Sequence, residues 1–340
     1  MARLRAAILG YGRSGSTMHA GAYDKNRDAF ELVAVCDVDL ERRQQAQERF
    51  GCAVYTDYRQ MLAQERLDLV SVVTRSHQHA AMACDCLGAG VNVLVTKPWA
   101  VNAAEAEGMI AAARAAGRQL LPWLPARWGS VFTRLQALLS QGVIGDVFFI
   151  RRAECSFATR CDWQTDKTCG GGYLLNWGPH VIDPPILLGG GQPKTVFGRL
   201  MQTINPGDTE DVVFAVITLA NGVTVQAEYT VSVVELPNWL IQGTRGTIEV
   251  RGTTIRVLGR RPVQPSDPTR YADMKAAVES TTEEKVGGAV YGDEVAVYAE
   301  IAQALQGRKP FPVTTAAALE LSRVFDAVRT SHAEDRLVCL

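Results

Sequence analysis

The chain has 340 residues, 47% hydrophobic and 21% charged, with 35 Lys and Arg against 36 Asp and Glu. That length suits roughly two domains, and the near-zero net charge excludes the broad basic field that nucleic acid or an anionic membrane requires. No apolar run approaches the roughly 18 residues of a membrane span, and the opening "MARLRAAILGYG" meets glycine too early for a signal peptide, so a cytoplasmic protein is expected.

In chain order, "RAAILGYG" is a short apolar run ending in glycine and predicts a strand. "ELVAVCD" (31–37), "LDLVSVVT" (67–74) and "VNVLVT" (91–96) predict three more buried strands. Helices are predicted between and after them at 39–50, 57–65, 77–89 and 103–116, the last capped by Asn102 and ended by Gly117. Strands alternating with helices imply a doubly wound parallel sheet. From 145 onward, "DVFFIRRAECSF", "DVVFAVITLANGVTVQAEYTVSVV" and "GTIEVRGTTIRVLG" are long strand-like runs, with Asn221-Gly222 as a hairpin signal. Residues 259–290 are polar and predict a long loop, and "YGDEVAVYAEIAQALQG" and "TTAAALELSRVFDAVRTSH" predict closing helices. The fold class is therefore α/β. A Rossmann domain over 1–124 is followed by an α+β domain over 125–340 with a large open, mostly antiparallel sheet, and its last helices have the length to return to the first domain.

The turn after the first strand reads Gly10-Tyr11-Gly12-Arg13-Ser14-Gly15, a G-x-G-x-x-G. Gly10 permits the tight turn, Gly12 admits a pyrophosphate to the backbone, and Gly15 lets helix and strand pack closely. The motif follows a strand and opens a helix, and Asp37 ends the next strand about 20 residues on, as a dinucleotide site demands. A carboxylate at Asp37 accepts both ribose hydroxyls of NAD and repels a 2′-phosphate, so NAD is expected over NADP. Arg42 and Arg43 on the next helix offset that repulsion in part or form a solvated face.

Eight scattered cysteines fit reduced thiols better than a disulfide framework. Neither Cys84-x-Cys86 nor His77-x-His79 has common zinc spacing, and no metal is expected.

Several segments, in this order, resemble the Gfo/Idh/MocA oxidoreductases, which use NAD or NADP on sugars and cyclitols. "GYGRSGSTMHAGAY" is similar to that family's opening, including His19; "TRSHQH" (74–79) to T-P-N-x-x-H; "TKPW" (96–99) to E-K-P; "ARWG" (126–129) to an R-F segment; and "GGGYLLNWGPHVID" to G-G-G-x-L-x-D-x-G-x-H-x-x-D. The resemblance places Thr74, His79, Thr96 and Lys97 on the cofactor beside the glycine loop, and Lys97, Asn176 and His180 in the catalytic set. Three departures stand out: Arg75 and Ser76 for Pro and Asn, Thr96 for Glu, and Asn176 for Asp.

Alcohol oxidation needs a group to stabilise the reacting oxygen and a base for its proton. Lys97 ends a parallel strand, the edge where ligands bind in open α/β sheets, and Lys97-Pro98 is a candidate cis bond that would aim the side chain inward. His180 titrates in a range suited to a base; its alternative is a helix histidine bonded to backbone. Asn176 and His180 are four apart and share a helix face. Asn176 orients the ring without charge, or Asp183 is the charged partner, or Asp183 bonds substrate. Pro184 and Pro185 should distort any helix there. Trp99, Arg127, Asp162, Trp163 and Gln164 are expected in the cleft where two such domains meet, core packing being the alternative for the tryptophans. The functional expectation is an NAD-dependent dehydrogenase of a sugar, sugar derivative or cyclitol. A lyase or glycosidase with transient oxidation and a non-catalytic dinucleotide-binding regulator are the alternatives. An open sheet also points to a homo-oligomer, a dimer or tetramer.

Overall fold

Ala6, Ala7, Ile8 and Leu9 of strand β1 (Leu4–Leu9) are all essentially unexposed, as a strand covered on both faces requires. The structure, a computed structural model, describes residues 2–263, 267, 269–271 and 276–340. β2 (Phe30–Cys36), β3 (Ala53–Tyr55), β4 (Leu69–Val72), β5 (Asn92–Val95) and β6 (Leu120–Pro122) pair in parallel with β1 in the order β3-β2-β1-β4-β5-β6. The order reverses at β1, which lies between β2 and β4, and this switch point is where such sheets bind nucleotides.

The crossover helices are α1 (Ala20–Lys25), α2 (Leu40–Phe50), α3 (Tyr58–Gln64), α4 (His79–Gly88) and α5 (Ala103–Ala116). Asp39 caps α2 by accepting from the Glu41 and Arg42 N–H groups. Asn102 caps α5 and Gly117, at φ +60°, ends it, as expected from sequence. Between the glycine loop and α1 the chain makes a wide π turn over Ser14–His19, closed by Ala20 N–H donating to Gly15 O. Short π segments favour functional sites.

The chain forms two compact units. The first comprises Met1–Trp128, Asp162–Asn176 and Asp293–Asp326, and the second Gly129–Cys161, Trp177–Gly292 and Ala327–Leu340. The second holds α6 (Ser130–Ser140), α8 (Asp183–Gly189) and a nine-stranded sheet. Its strands are β7 (Val147–Cys155), β8 (Pro193–Met201), β9 (Val212–Leu219), β10 (Thr224–Thr230), β11 (Trp239–Gly243), β12 (Gly246–Arg251), β13 (Thr254–Pro262), β14 (Ala276–Lys285) and β15 (Val338–Cys339). They pair antiparallel except β7 with β10, which run parallel. In register, Val196, Ile217, Val225, Ile150, Ile241, Ile248 and Val257 form a buried row across seven strands. The neighbouring row on the other face, Phe197, Val216, Gln226, Arg151, Leu240, Glu249 and Arg256, is half-buried to exposed and mixes apolar with charged groups.

The long loop expected over 259–290 is corrected in part. β13 runs to Pro262, and residues 276–285 form β14 against it, where Val and Thr favour an extended pair. Residues 264–266, 268 and 272–275 of that stretch lie outside the described residues. Two helices span the unit boundary, α7 (Tyr173–Val181), divided between Asn176 and Trp177, and α10 (Thr315–Glu334), while α9 (Glu294–Leu305) belongs to the first unit. No helix among the described residues is long and apolar enough to cross a membrane.

Candidate active site

The glycine loop sits at the switch point. Gly10 has φ +90°, and a Cβ there would lie 2.7 Å from Val73 O at the end of β4. A Cβ on Gly15 would lie 2.1 Å from Gly10 O, so only glycine lets the helix start this close to the loop. At Gly12 the nearest atom is the Arg42 guanidinium at 3.6 Å, which leaves the backbone open to a ligand. Arg13 is exposed and Ser14 half-buried on the first turn. Tyr11 is buried, and its N–H donates to Asp37 Oδ2 at 2.7 Å. Asp37 Oδ1 accepts from Asp39 N–H at 2.9 Å, so the carboxylate ties the loop to the end of β2. The arginines on α2 are not a plain solvated face. Arg43 donates to Asp37 O at 2.7 Å, and Arg42 Nη1 stands 3.7 Å from Asp37 Oδ2. These residues fit a dinucleotide: a glycine-lined anion cradle, a helix start, and a carboxylate at the ribose end.

Thr74 and Thr96 follow β4 and β5 at the same sheet edge, joined by Thr96 N–H donating to Val72 O at 3.1 Å. His79, 1% exposed, lies between Pro98 O (2.7 Å from Nδ1) and Thr74 O (3.0 Å from Nε2), bracing the two loops. Burial lowers its pKa, the two carbonyls opposing that; a neutral ring donates to one of them. The Lys97-Pro98 peptide is cis, as its sequence allows. The Lys97 ammonium donates to Asn176 Oδ1 at 2.6 Å and to Asn176 O at 2.9 Å. Asn176 thus directs its amide oxygen to the lysine.

The other first-unit residues divide. Trp99 is corrected to a core residue: it is 2% exposed, with Nε1 donating to Ser322 Oγ at 2.9 Å and Ala318 O at 3.1 Å. Its indole finds a polar partner on α10, which favours burial. Arg127 is half-buried in a turn over Pro125–Trp128. Asp162 is exposed and caps the next short turn by accepting from Gln164 N–H, with Trp163 half-buried beside it.

In the second unit, His180 is half-buried on α7 among aromatic rings. Trp177 and Tyr291 each stand 5.7 Å from it, centroid to centroid, at steep angles, and Trp177 stacks on Tyr229 at 4.8 Å. Tyr291 bonds the buried Glu154, which pairs with buried Arg152. Burial first, then Glu154, pushes the Tyr291 hydroxyl up to about 12. Sequence reasoning missed Tyr229, Tyr291 and Glu154, which lie far from His180 along the chain; Trp177 alone carried a signal, three residues before His180 on one helix face. Asp183 is buried in the first turn of α8, and the helix break falls at Ile182, where Pro184 and Pro185 required it.

Two family descriptions match. "Oxidoreductase family, NAD-binding Rossmann fold" covers residues 4–122, and "GFO/IDH/MocA C-terminal domain" covers 132–249. The scyllo-inositol 2-dehydrogenase (NADP(+)) of Bacillus subtilis is 25% identical over 99% of this chain and 96% of its own. The D-glucoside 3-dehydrogenase of Escherichia coli is 31% identical over 59% of this chain and 58% of its own. The WlbA dehydrogenase from Bordetella pertussis, solved with NADH and UDP-GlcNAcA, shares the fold at a TM-score of 0.81, with 20% identity over 100% of this chain and 99% of that one.

Proposed function

Because the chain belongs to the Gfo/Idh/MocA oxidoreductase family, we propose that it is a cytoplasmic, NAD-dependent dehydrogenase that interconverts a secondary hydroxyl and a ketone on a sugar, sugar derivative or cyclitol. The bond from the Lys97 ammonium to Asn176 is the observation that carries this reading. It holds the Lys97 ammonium against Asn176, the residue four before His180 in the chain. The inositol and glucoside dehydrogenases among the relatives support the substrate class.

A bound nicotinamide supplies the hydride acceptor. The chain's own residues do the rest. Lys97 holds the reacting oxygen and stabilises the negative charge that grows on it. Asn176 fixes the ammonium without neutralising it, since an amide carries no charge. His180 accepts the hydroxyl proton, its ring held by Trp177 and Tyr291. Arg127, Asp162, Trp163 and Asp183 are proposed to contact the remaining hydroxyls. Thr74, His79, Thr96 and the loop from Gly10 to Gly15 are proposed to shape the cofactor site. We also propose a homo-oligomer formed through the half-exposed face of the nine-stranded sheet; light scattering that returns a monomer at micromolar concentration refutes that.

The test is a screen of sugars, polyols and cyclitols with NAD and NADP, following reduced nicotinamide by absorbance. Sustained accumulation with one hydroxylated class is the expected result. Dinucleotide binding without turnover of any of them would overturn the catalytic reading, and product release without net reduction would point to transient oxidation instead.

A further inference from the structure

We propose that Arg75 binds a carboxylate on the substrate, so that the preferred substrate is an acidic sugar or polyol. This rests on the dehydrogenase reading above, in which Lys97 takes the reacting oxygen. Arg75 directly follows Thr74 beyond β4, and Lys97 directly follows Thr96 beyond β5, the neighbouring strand of the parallel sheet. His79 ties the two strand exits together, between Thr74 O and Pro98 O. Both cations meet the same stretch of the first unit, Arg75 at Cys169 and Lys97 at Asn176. Glycines seat that stretch: a Cβ on Gly170 would lie 2.8 Å from Ser76 Cβ, and one on Gly171 would lie 2.4 Å from Gln164 O. Arg75 stands where the family pattern has proline, so this cation is the chain's own addition.

Arg75 lacks a charged partner. Its Nη1 donates to the Cys169 sulfur at 3.6 Å, a weak acceptor, and it pairs with no carboxylate among the described residues. Other arginines of the unit behave differently: Arg5 pairs with Glu65, Arg27 and Arg49 with Asp24, and Arg59 with Asp85. Asp166, which also touches Cys169, is engaged already. Its Oδ1 accepts from the Thr168 N–H at 2.8 Å and hydroxyl at 2.7 Å, and its Oδ2 accepts from the Cys169 thiol at 3.6 Å. Arg75 is exposed, and a sulfur contact this long yields readily to a carboxylate, which a guanidinium binds through two parallel charge-assisted bonds. The contacts to Cys169 and Asn176 do not neutralise their cations, since a thiol and an amide carry no charge, so an anion is attracted to both. With substrate bound, the carboxylate lies on Arg75 and the reacting hydroxyl on Lys97, and the molecule is fixed at two points.

Titration calorimetry and steady-state assays of the NAD-loaded protein test this with matched probes: D-glucuronate against D-glucose, D-gluconate against D-glucitol, and glucose 6-phosphate as an anion of another shape. Each acid should bind at least about tenfold tighter than its neutral counterpart. Arg75→Gln should weaken the acids by about 10–100-fold, while the neutral compounds and NAD stay within a few-fold, and Arg75→Lys should recover part of the loss. Equal binding of acids and neutral compounds overturns the inference, as does an Arg75→Gln that weakens both alike. A loss of NAD affinity in that variant also overturns it, by making Arg75 a ligand of the cofactor's phosphates, and so does tighter binding of glucose 6-phosphate than of the acids. Turnover of the neutral compounds alone overturns it and leaves the dehydrogenase reading standing. Acid binding that depends on Arg75, with no turnover, sustains the carboxylate site and brings down the dehydrogenase reading instead.

Discussion

At the glycine loop, the proposed function depends on atoms that are missing: a single methyl at Gly10 or Gly15 would enter the space of a backbone carbonyl. Along α7, the proposed function depends on atoms that are present, the amide of Asn176 that meets Lys97 and the imidazole of His180 set among Trp177 and Tyr291. The loop cannot change at Gly10 or Gly15 without moving the chain. The helix can exchange a carboxylate for an amide at 176 and still form. On the proposed reading, cofactor binding is built into backbone geometry, while proton handling is built from side chains that can drift within an intact fold.

The strongest test of that contrast is a pair of glycine substitutions. Gly15→Ala puts Cβ 2.1 Å from Gly10 O, so the loop must shift. We expect a loss of about 1–3 kcal/mol in stability, together with loss of measurable dinucleotide binding. Gly12→Ala meets nothing nearer than Arg42 at 3.6 Å and should keep its melting temperature while binding dinucleotide weakly. Thermal melts and NAD titrations of both variants decide it. If Gly15→Ala binds NAD normally, the close approach at the helix start is not what the cofactor requires.

At Lys97, after β5, and at His180 on α7, the fold should survive and the chemistry should not. Lys97→Met should lower kcat by about 10²–10³-fold, the worth of one oxygen-stabilising donor, with NAD affinity within a few-fold of native. His180→Ala should lower kcat by roughly 100-fold and leave both NAD affinity and melting temperature near native. Near-native turnover in either variant removes that residue from the mechanism.

The same contrast explains what the sequence disclosed. Gly10, Gly12, Gly15 and Asp37 are legible because one strand, one turn and one helix place them locally. Asn102 and Gly117 marked the ends of α5 for the same reason, and Pro184 and Pro185 the break after α7. Lys97 was marked by its place at a strand end and His180 by its spacing from Asn176, but their grouping in one set came from the family resemblance. Contacts between distant segments were not legible at all. The approach of Arg42 to Asp37 depends on how α2 lies against β2, the rings around His180 come from β10 and the segment before α9, and Trp99 finds its partners on α10. The parallel pairing of β7 with β10 was hidden likewise, because strands close in sequence give no sign that a later strand will enter between neighbours.

The finest test is Asn176→Asp, which restores a carboxylate without disturbing the helix. Its oxygen would stand where the amide oxygen stands now, 2.6 Å from the Lys97 ammonium. The new negative charge holds that ammonium protonated to higher pH and, one helical turn away, favours the imidazolium of His180. Oxidation needs the neutral imidazole, so the rise of the pH–rate profile should move to higher pH. It also needs the charged lysine, so the fall at high pH should move the same way. The whole bell should shift upward by roughly half a unit to one unit, with kcat at its maximum changing by only a few-fold. A profile that stays in place means that Asn176 touches neither group during catalysis. If Asp183→Asn moves the profile while Asn176→Asp does not, the buried carboxylate at the start of α8 is the partner of His180, and the amide at 176 serves Lys97 alone.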